Sequence, residues 1–269
     1  MSSEPHPLFD LGGRVAVVTG GGSGLGREFC DVLAEFGANV VCADLDEDRA
    51  VETREMLKKH GHETIAIQVD VSEYDQVRMM FKQAEETFER LDILVNNAGI
   101  FSRRCAIDQI EIRDWHRVLD VNVHGVFYCM KEGLRLMIRR KRGSIINVSS
   151  ITGLCGVDPE IGQMAPYVTS KSAIIGLTRQ GAAEYGVHGI RVNAIAPGWH
   201  LGTRLGAGTG VKRTEEELNA FHQLLSSKTP MKRTGELKEL RGLLLYLASD
   251  ASSFVTGQTI ASDGGWTCV

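Results

Sequence analysis

At 269 residues, with 43% hydrophobic and 24% charged side chains, the sequence has the composition of a globular protein with a sizeable core. A net charge of −4 and a pI of 6.1 give it nothing that would draw it to nucleic acid or to an anionic membrane. Six scattered cysteines without a C-x-x-C pair argue against a disulfide framework and against a metal site.

The first residues, MSSEPHPLFDLGG, carry neither a basic segment nor an apolar one, so no secretory signal is expected. No apolar run approaches the roughly 18 residues that a membrane-spanning helix needs. The expectation is a soluble, cytoplasmic protein.

Short β-branched runs then alternate with amphipathic segments. Candidate strands are RVAVVT (14–19), NVVCA (39–43), TIAIQV (64–69), DILVN (92–96), SIINVS (144–149) and IRVNAIA (190–196), with a seventh near 259–262. They are near-continuous apolar runs, as expected of parallel strands covered on both faces. Between the first two, Leu25, Phe29, Val32, Leu33 and Phe36 recur at helical spacing. Val77, Met80, Phe81, Ala84 and Phe88 do the same after the third. This alternation predicts an α/β fold: a single-domain, Rossmann-type, doubly wound parallel sheet of about seven strands with helices on both faces. The basic run RLMIRRKR (135–142) reads as a solvated helix end. From Trp199 to Gly235 the rhythm breaks, and an irregular excursion of that length suggests a lid or substrate loop.

The stretch TGGGSGLG (19–26) lies between the first strand and the first helix. Glycines permit a tight turn and close approach of a ligand, and a helix N-terminus offers free N–H groups to a pyrophosphate. Gly20, Ser23, Gly24, Leu25 and Gly26 are the candidate cradle, although the spacing is neither G-x-G-x-x-G nor a P-loop. The second strand runs into Asp44, whose carboxylate can accept from ribose hydroxyls and would repel a 2′-phosphate. That favours NAD over NADP. Arg27 and Arg49 flank these stretches.

Further along come Asp70-Val71, NNAG (96–99), Asn122 in VNVHG, INVSS (146–150), Tyr167-x-x-x-Lys171, Pro197-Gly198 and DGG (263–265). In this order the motifs resemble those of the short-chain dehydrogenase/reductase family over essentially the whole chain. The resemblance implies a proton transferred by Tyr167 and a hydride exchanged with a nicotinamide cofactor. A free tyrosine has a pKa near 10, too high for a base at neutral pH, and Lys171 one turn along the helix can lower it. Either Ser149 or Ser150 can steady the substrate oxygen on chemistry alone; the family pattern points to Ser150. By the same resemblance, Asn122 helps to position Lys171, Asp70 and Val71 flank the adenine, and Asn97, Ala98 and Gly99 lie beside the adenosine ribose. Lys171 also holds the nicotinamide ribose, and Pro197 and Gly198 lie beneath the nicotinamide. Relatives in this family are often tetramers, so a homotetramer or homodimer is expected.

Two places depart from the family pattern. Ser150 and Tyr167 are further apart than usual, and the extra length falls in CGVDPEIGQMAP, where Asp158, Glu160, Gln163 and Met164 become candidate substrate contacts. In PGWHLGT the carboxamide-binding threonine comes one position late, at Thr203, with Trp199 and His200 as wall residues. Arg103, Arg104, Arg204, Lys212 and Arg213 suit a carboxylate or phosphate; Phe101, Leu154, Met164 and Trp199 suit an apolar or cyclic substrate. The expected activity is an NAD-dependent dehydrogenase of a secondary alcohol, such as a cyclic alcohol or sugar acid. The alternatives are a 3-oxoacyl-thioester reductase and an NAD(H)-binding sensor or scaffold without turnover.

Overall fold

The computed structural model describes residues 6–203 and 214–269, so Arg204, Lys212 and Arg213 lie outside the described residues. The strands are β1 (Val15–Thr19), β2 (Asn39–Asp44), β3 (Thr64–Gln68), β4 (Ile93–Asn96), β5 (Gly143–Val148), β6 (Ile190–Pro197), the two-residue β7 (His200–Leu201) and β8 (Gly235–Glu236), and β9 (Thr259–Ser262). Seven of them form one parallel sheet in the order β3-β2-β1-β4-β5-β6-β9, and β7 pairs with β8 apart from it. The strand order reverses between β1 and β4. A crevice opens there at the carboxyl ends of parallel strands, where ligands of such sheets bind.

Alternation along β1 explains its unbroken apolar run. Ala16 and Val18 join a core cluster with Phe29, Leu33, Leu244 and Leu247, while Val17 joins another with Phe81, Leu134, Met137 and Ile174. The first cluster is closed by α1 (Gly24–Glu35) and α8 (Arg241–Ala248). The second is closed by α3 (Tyr74–Phe88), α5 (Gly125–Arg140) and α6 (Ala165–Tyr185). Both faces of the sheet are therefore covered, as the strand composition predicts. The basic run ends α5 as expected: Lys141 adopts φ 52, Arg139 pairs with Glu85 at 2.6 Å, and Arg142 pairs with Asp250 at 2.9 Å.

An ion network ties α8 to α1. Arg241 bonds Glu28 at 3.1 Å, Asp31 at 2.7 Å and Glu35, while Lys59 and His60 reach Asp31 at 2.9 Å. Burial alone would raise the Asp31 carboxyl, but bonds from His60, Lys59 and Arg241 outweigh it and hold it well below the usual range. A carboxylate with a depressed folded pKa stabilises the fold above its ordinary pKa and loses that contribution as pH falls. Asp31→Asn is therefore expected to cost about 1.5–3 kcal/mol at pH 7. The difference should close as pH falls below about 4. Thermal melts of both proteins across pH 2 to 7 check this; a gap independent of pH would contradict it.

Candidate active site

At the carboxyl ends of the strands lies a cleft of about 890 Å³. One end is bordered by the glycine turn and Asp44, the other by Ser150, Tyr167 and Trp199. The turn is shaped by backbone crowding. Gly20 has φ 63, and a Cβ on Gly26 would overlap the Gly20 carbonyl oxygen. Asn97 Nδ2 donates to the carbonyls of Thr19 at 3.0 Å and Gly20 at 3.1 Å, and Thr19 Oγ1 accepts from the amides of Asn97 and Ala98 at 3.1 Å. The turn is thus fastened to the start of the β4–α4 connection, α4 being Ile112–Leu119.

Helix α1 begins at Gly24, and its N-cap Ser23 makes no side-chain capping bond. Its first N–H groups remain available to an anion. Asp44 Oδ2 accepts from Gly22 N at 2.8 Å and Oδ1 from Asp46 N at 3.1 Å, which fixes the carboxylate beside the turn. Arg27 turns away, bonding Gly22 O at 2.6 Å and Glu52 at 2.7 Å. Arg49 borders the cleft and pairs with Asp46 at 2.9 Å. A cradle that tolerates no added Cβ, an uncapped helix start and a fixed acid together fit a dinucleotide.

Asp70 and Val71 border the same end, Asp70 Oδ1 accepting from Ser72 N at 2.9 Å and from Ser72 Oγ at 2.6 Å. Asn97, Ala98 and Gly99 also line the cleft, though the Asn97 amide points back into the turn. Leu25, Pro197, Gly198, Thr203 and His200 line it as well. Gly26 does not; it acts on the cradle from behind.

Pro166 in the first turn of α6 suits a helix start, and Tyr167 and Lys171 follow one turn apart facing inward, 6% and 3% exposed. Lys171 Nζ donates to Val148 O at 2.8 Å and stands 5.5 Å from the Tyr167 ring centre. Burial lowers the lysine pKa to about 8. The expectation that Lys171 draws Tyr167 down is not met within the chain alone. Burial dominates and pushes the phenol above its ordinary range, and a hydrogen bond with Ser150 is what opposes it.

The two serines, indistinguishable by chemistry, are separated by geometry. Both border the cleft, but Ser149 Oγ is committed to Lys171 O at 2.8 Å, whereas Ser150 reaches Tyr167. Asn122 sits in a π-helical turn, Asp120–His124, between α4 and α5. Its Nδ2 donates to Ile100 O and Ser170 Oγ, both at 3.0 Å, and its Oδ1 accepts from Ile100 N at 2.8 Å. It does not line the cleft. A methyl group on Gly99 would lie 3.4 Å from Asn122 Oδ1 and 3.5 Å from Lys171 Nζ, so both flank that glycine.

The longer loop departs from expectation. Asp158 and Glu160 pair with Lys228 at the end of α7 (Glu215–Lys228), the latter at 3.3 Å, and do not line the cleft. Met164 is 4% exposed and folds under Gly162, where a Cβ would lie 2.6 Å from its Cε; it is packing, not wall. Gln163 is also absent from the wall. Trp199 does line the cleft, its ring edge-on to Phe221 and Trp266 at 6.4 and 5.7 Å. His200 borders it too, and its ring packs over Gly235 of β8, where a Cβ would lie 2.6 Å from its Cδ2.

Two contributors had weaker sequence signals. The Phe101 ring lies on the Tyr167 ring, centres 3.9 Å apart, although only its apolar character marked it out. Arg104 donates to Ile161 O at 2.8 Å and stands over the Phe221 ring at 5.6 Å, joining the 100–106 segment to the long loop and to α7. No spacing rule identifies such a strut.

A family model described as enoyl-(acyl carrier protein) reductase matches residues 20–267. A short chain dehydrogenase/reductase of Aspergillus oryzae is 39% identical over 265 residues, covering 97% of each chain. A 2,5-dichloro-2,5-cyclohexadiene-1,4-diol dehydrogenase of Sphingobium indicum is 37% identical over 97% of this chain and 100% of its own. Among solved structures, a gluconate 5-dehydrogenase of Burkholderia cenocepacia in complex with NADP and tartrate superposes with a TM-score of 0.88, at 37% identity and 98% coverage of both chains.

Proposed function

The chain belongs to the short-chain dehydrogenase/reductase family of oxidoreductases, and from that premise we propose that it interconverts a secondary alcohol and its ketone with NAD(H). The observation that carries the proposal is the buried group of Ser150, Tyr167 and Lys171 at one end of a cleft whose other end is a phosphate-accepting turn. The cofactor, when bound, supplies the hydride acceptor or donor.

Every other task falls to the chain. The turn from Gly20 to Leu25 receives the pyrophosphate, Asp70 and Val71 flank the adenine, and Asn97 to Gly99 form the wall beside the ribose. Pro197, Gly198 and Thr203 hold the nicotinamide end. Ser150 donates to the substrate oxygen, and Tyr167 removes its proton in oxidation and returns it in reduction. Lys171 holds a cation beneath the phenol, and Asn122 positions this group through the Gly99–Ile100 backbone. Trp199, His200 and Thr203, at the start of the 199–235 excursion, border the substrate side. The family resemblance supports a homotetramer or homodimer.

Asp44 supports NAD as the preferred cofactor, because its fixed carboxylate would oppose a 2′-phosphate. Asp44→Ala is expected to reduce the NAD-over-NADP preference in kcat/KM by about tenfold or more, equivalent to about 1.4 kcal/mol. An unchanged ratio would remove the ribose assignment. The activity itself is tested by NAD reduction over cyclic alcohols, sugar acids, aryl carbinols and hydroxyacyl thioesters. Fastest turnover of a thioester would favour the reductase alternative.

A further inference from the structure

Val148, Ser149 and Ser150 leave the end of β5 in succession, and each holds a different point on one turn of α6. The Val148 carbonyl accepts from Lys171 Nζ, and the Ser149 hydroxyl donates to the Lys171 carbonyl, both at 2.8 Å. Ser150 makes its hydrogen bond to the Tyr167 phenol, one turn earlier. The lysine is thus held at its side chain and at its backbone by consecutive residues of one strand end.

Ser149 is anchored on its other side to the sheet. Its amide donates to Ile195 O of β6 at 2.8 Å, and the residue is 2% exposed. Gly153 closes over the contact: a Cβ there would lie 2.7 Å from Lys171 O and 2.9 Å from Ser149 Oγ. Tyr167 O, at the other end of the same turn, accepts from Ser170 Oγ at 2.7 Å, which in turn accepts from Asn122 Nδ2 at 3.0 Å.

Lys171 lies inside α6, so its carbonyl also serves the helix, and the Ser149 bond is additional to the helical ladder. Such a bond does little to form the helix; it fixes where the helix lies. Helix α6 carries the phenol, and the chain after β5 carries Ser150. The approach of these two hydroxyls therefore depends on how the helix sits against the strand end. A displacement of about 1 Å at a reacting centre can cost about 10²-fold in rate.

Resting on the dehydrogenase reading above, we infer that Ser149 is a positioning residue for proton transfer: its hydroxyl, anchored to the sheet, sets the Tyr167–Lys171 turn in place against Ser150. Ser149 borders the cleft, yet its hydroxyl is turned onto α6, and its effect on the reaction passes through Tyr167.

The test places Ser149→Ala in two backgrounds, wild type and Tyr167→Phe, and assays NAD reduction by the full chain. In the wild-type background kcat should fall about tenfold, while KM for the alcohol and Kd for NADH stay within about threefold. In the Tyr167→Phe background the same substitution should change the residual kcat by less than about twofold, because the group it positions is gone. An unchanged kcat in the wild-type background, with or without a lower melting temperature, overturns the inference. So does a loss that persists in full without the phenol, which would mean that the Ser149 hydroxyl serves the substrate directly. Since Lys171 O keeps its helical partner, the alanine variant should fold; Ser149→Cys, of similar volume with a weak donor, takes its place if it does not. A second arm needs no turnover. In protein labelled with ¹³C at tyrosine Cζ, the Tyr167 signal is identified by its loss in Tyr167→Phe. Ser149→Ala should shift that signal and leave the other four tyrosines in place. If no alcohol is turned over by the wild type, the dehydrogenase reading fails and this arm decides the placement alone: a shifted Tyr167 signal supports it, and an unmoved one overturns it.

Discussion

Tyr167→Phe is expected to lower kcat for alcohol oxidation by about 10²–10⁴-fold, the usual contribution of a positioned acid–base group. The Kd for NADH should stay within about threefold, since the proposed cofactor contacts are shared among the glycine turn, Asp44 and the 197–203 segment. The substitution removes one oxygen from a ring packed between Phe101 and the helix, so the fold is retained. Steady-state kinetics and NADH fluorescence titration read the two quantities separately. A variant that keeps more than a tenth of kcat would refute the role given to this tyrosine. The wild-type pH profile belongs to the same prediction. Burial raises the phenol, so log(kcat/KM) for oxidation should rise with pH into the alkaline range, and that for reduction should fall over the same range.

Lys171→Met should abolish turnover by a similar factor and carry a stability signature of its own. The lysine pKa is about 8 in the fold, against an ordinary value of 10.5. Between those values the unfolded chain holds a proton that the folded chain lacks, so stability rises with pH across this window. Below pH 8 the penalty of burying the ammonium is fully present. A shift of this size corresponds to something on the order of 3 kcal/mol. The methionine variant leaves Val148 O without its partner, which costs about 1–3 kcal/mol at any pH. Its melting temperature relative to wild type is therefore most favourable at pH 7, and the comparison moves towards wild type as pH climbs from 8 to 10.5. A difference that does not vary over that window would mean that the lysine is not destabilised by burial.

Both predictions rest on residues that could be read in the sequence, yet their surroundings could not. The strands were legible because the sheet buries both faces, and runs such as RVAVVT have no other economical fate. Tyr167, Lys171 and the glycine turn were legible because the ordered series of motifs resembles that of the short-chain dehydrogenase/reductase family. Between Ser149 and Ser150 chemistry left the choice open and the family pattern pointed to Ser150; that the Ser149 hydroxyl is engaged by the Lys171 carbonyl is a tertiary contact the sequence does not report. Within the chain alone the Tyr167 phenol is pushed up, which was not legible because sequence reports the neighbouring cation but not the burial that outweighs it. Asp158, Glu160 and Met164 were misassigned for a related reason. Loop length signals that something differs on the substrate side, while the direction of each side chain depends on Lys228 and Gly162.

Gly26 has a consequence beyond its own position. Because it carries no side chain, the Gly20 carbonyl settles against α1, and Asn97 and Thr19 lock the turn from the opposite side. The loop is ordered at the folding step, so little conformational entropy remains to be lost when a ligand arrives. Cofactor association should then resemble docking onto a rigid surface, with its rate governed by encounter and not by loop closure. A residue outside the cleft lining is thereby expected to influence the rate of ligand capture.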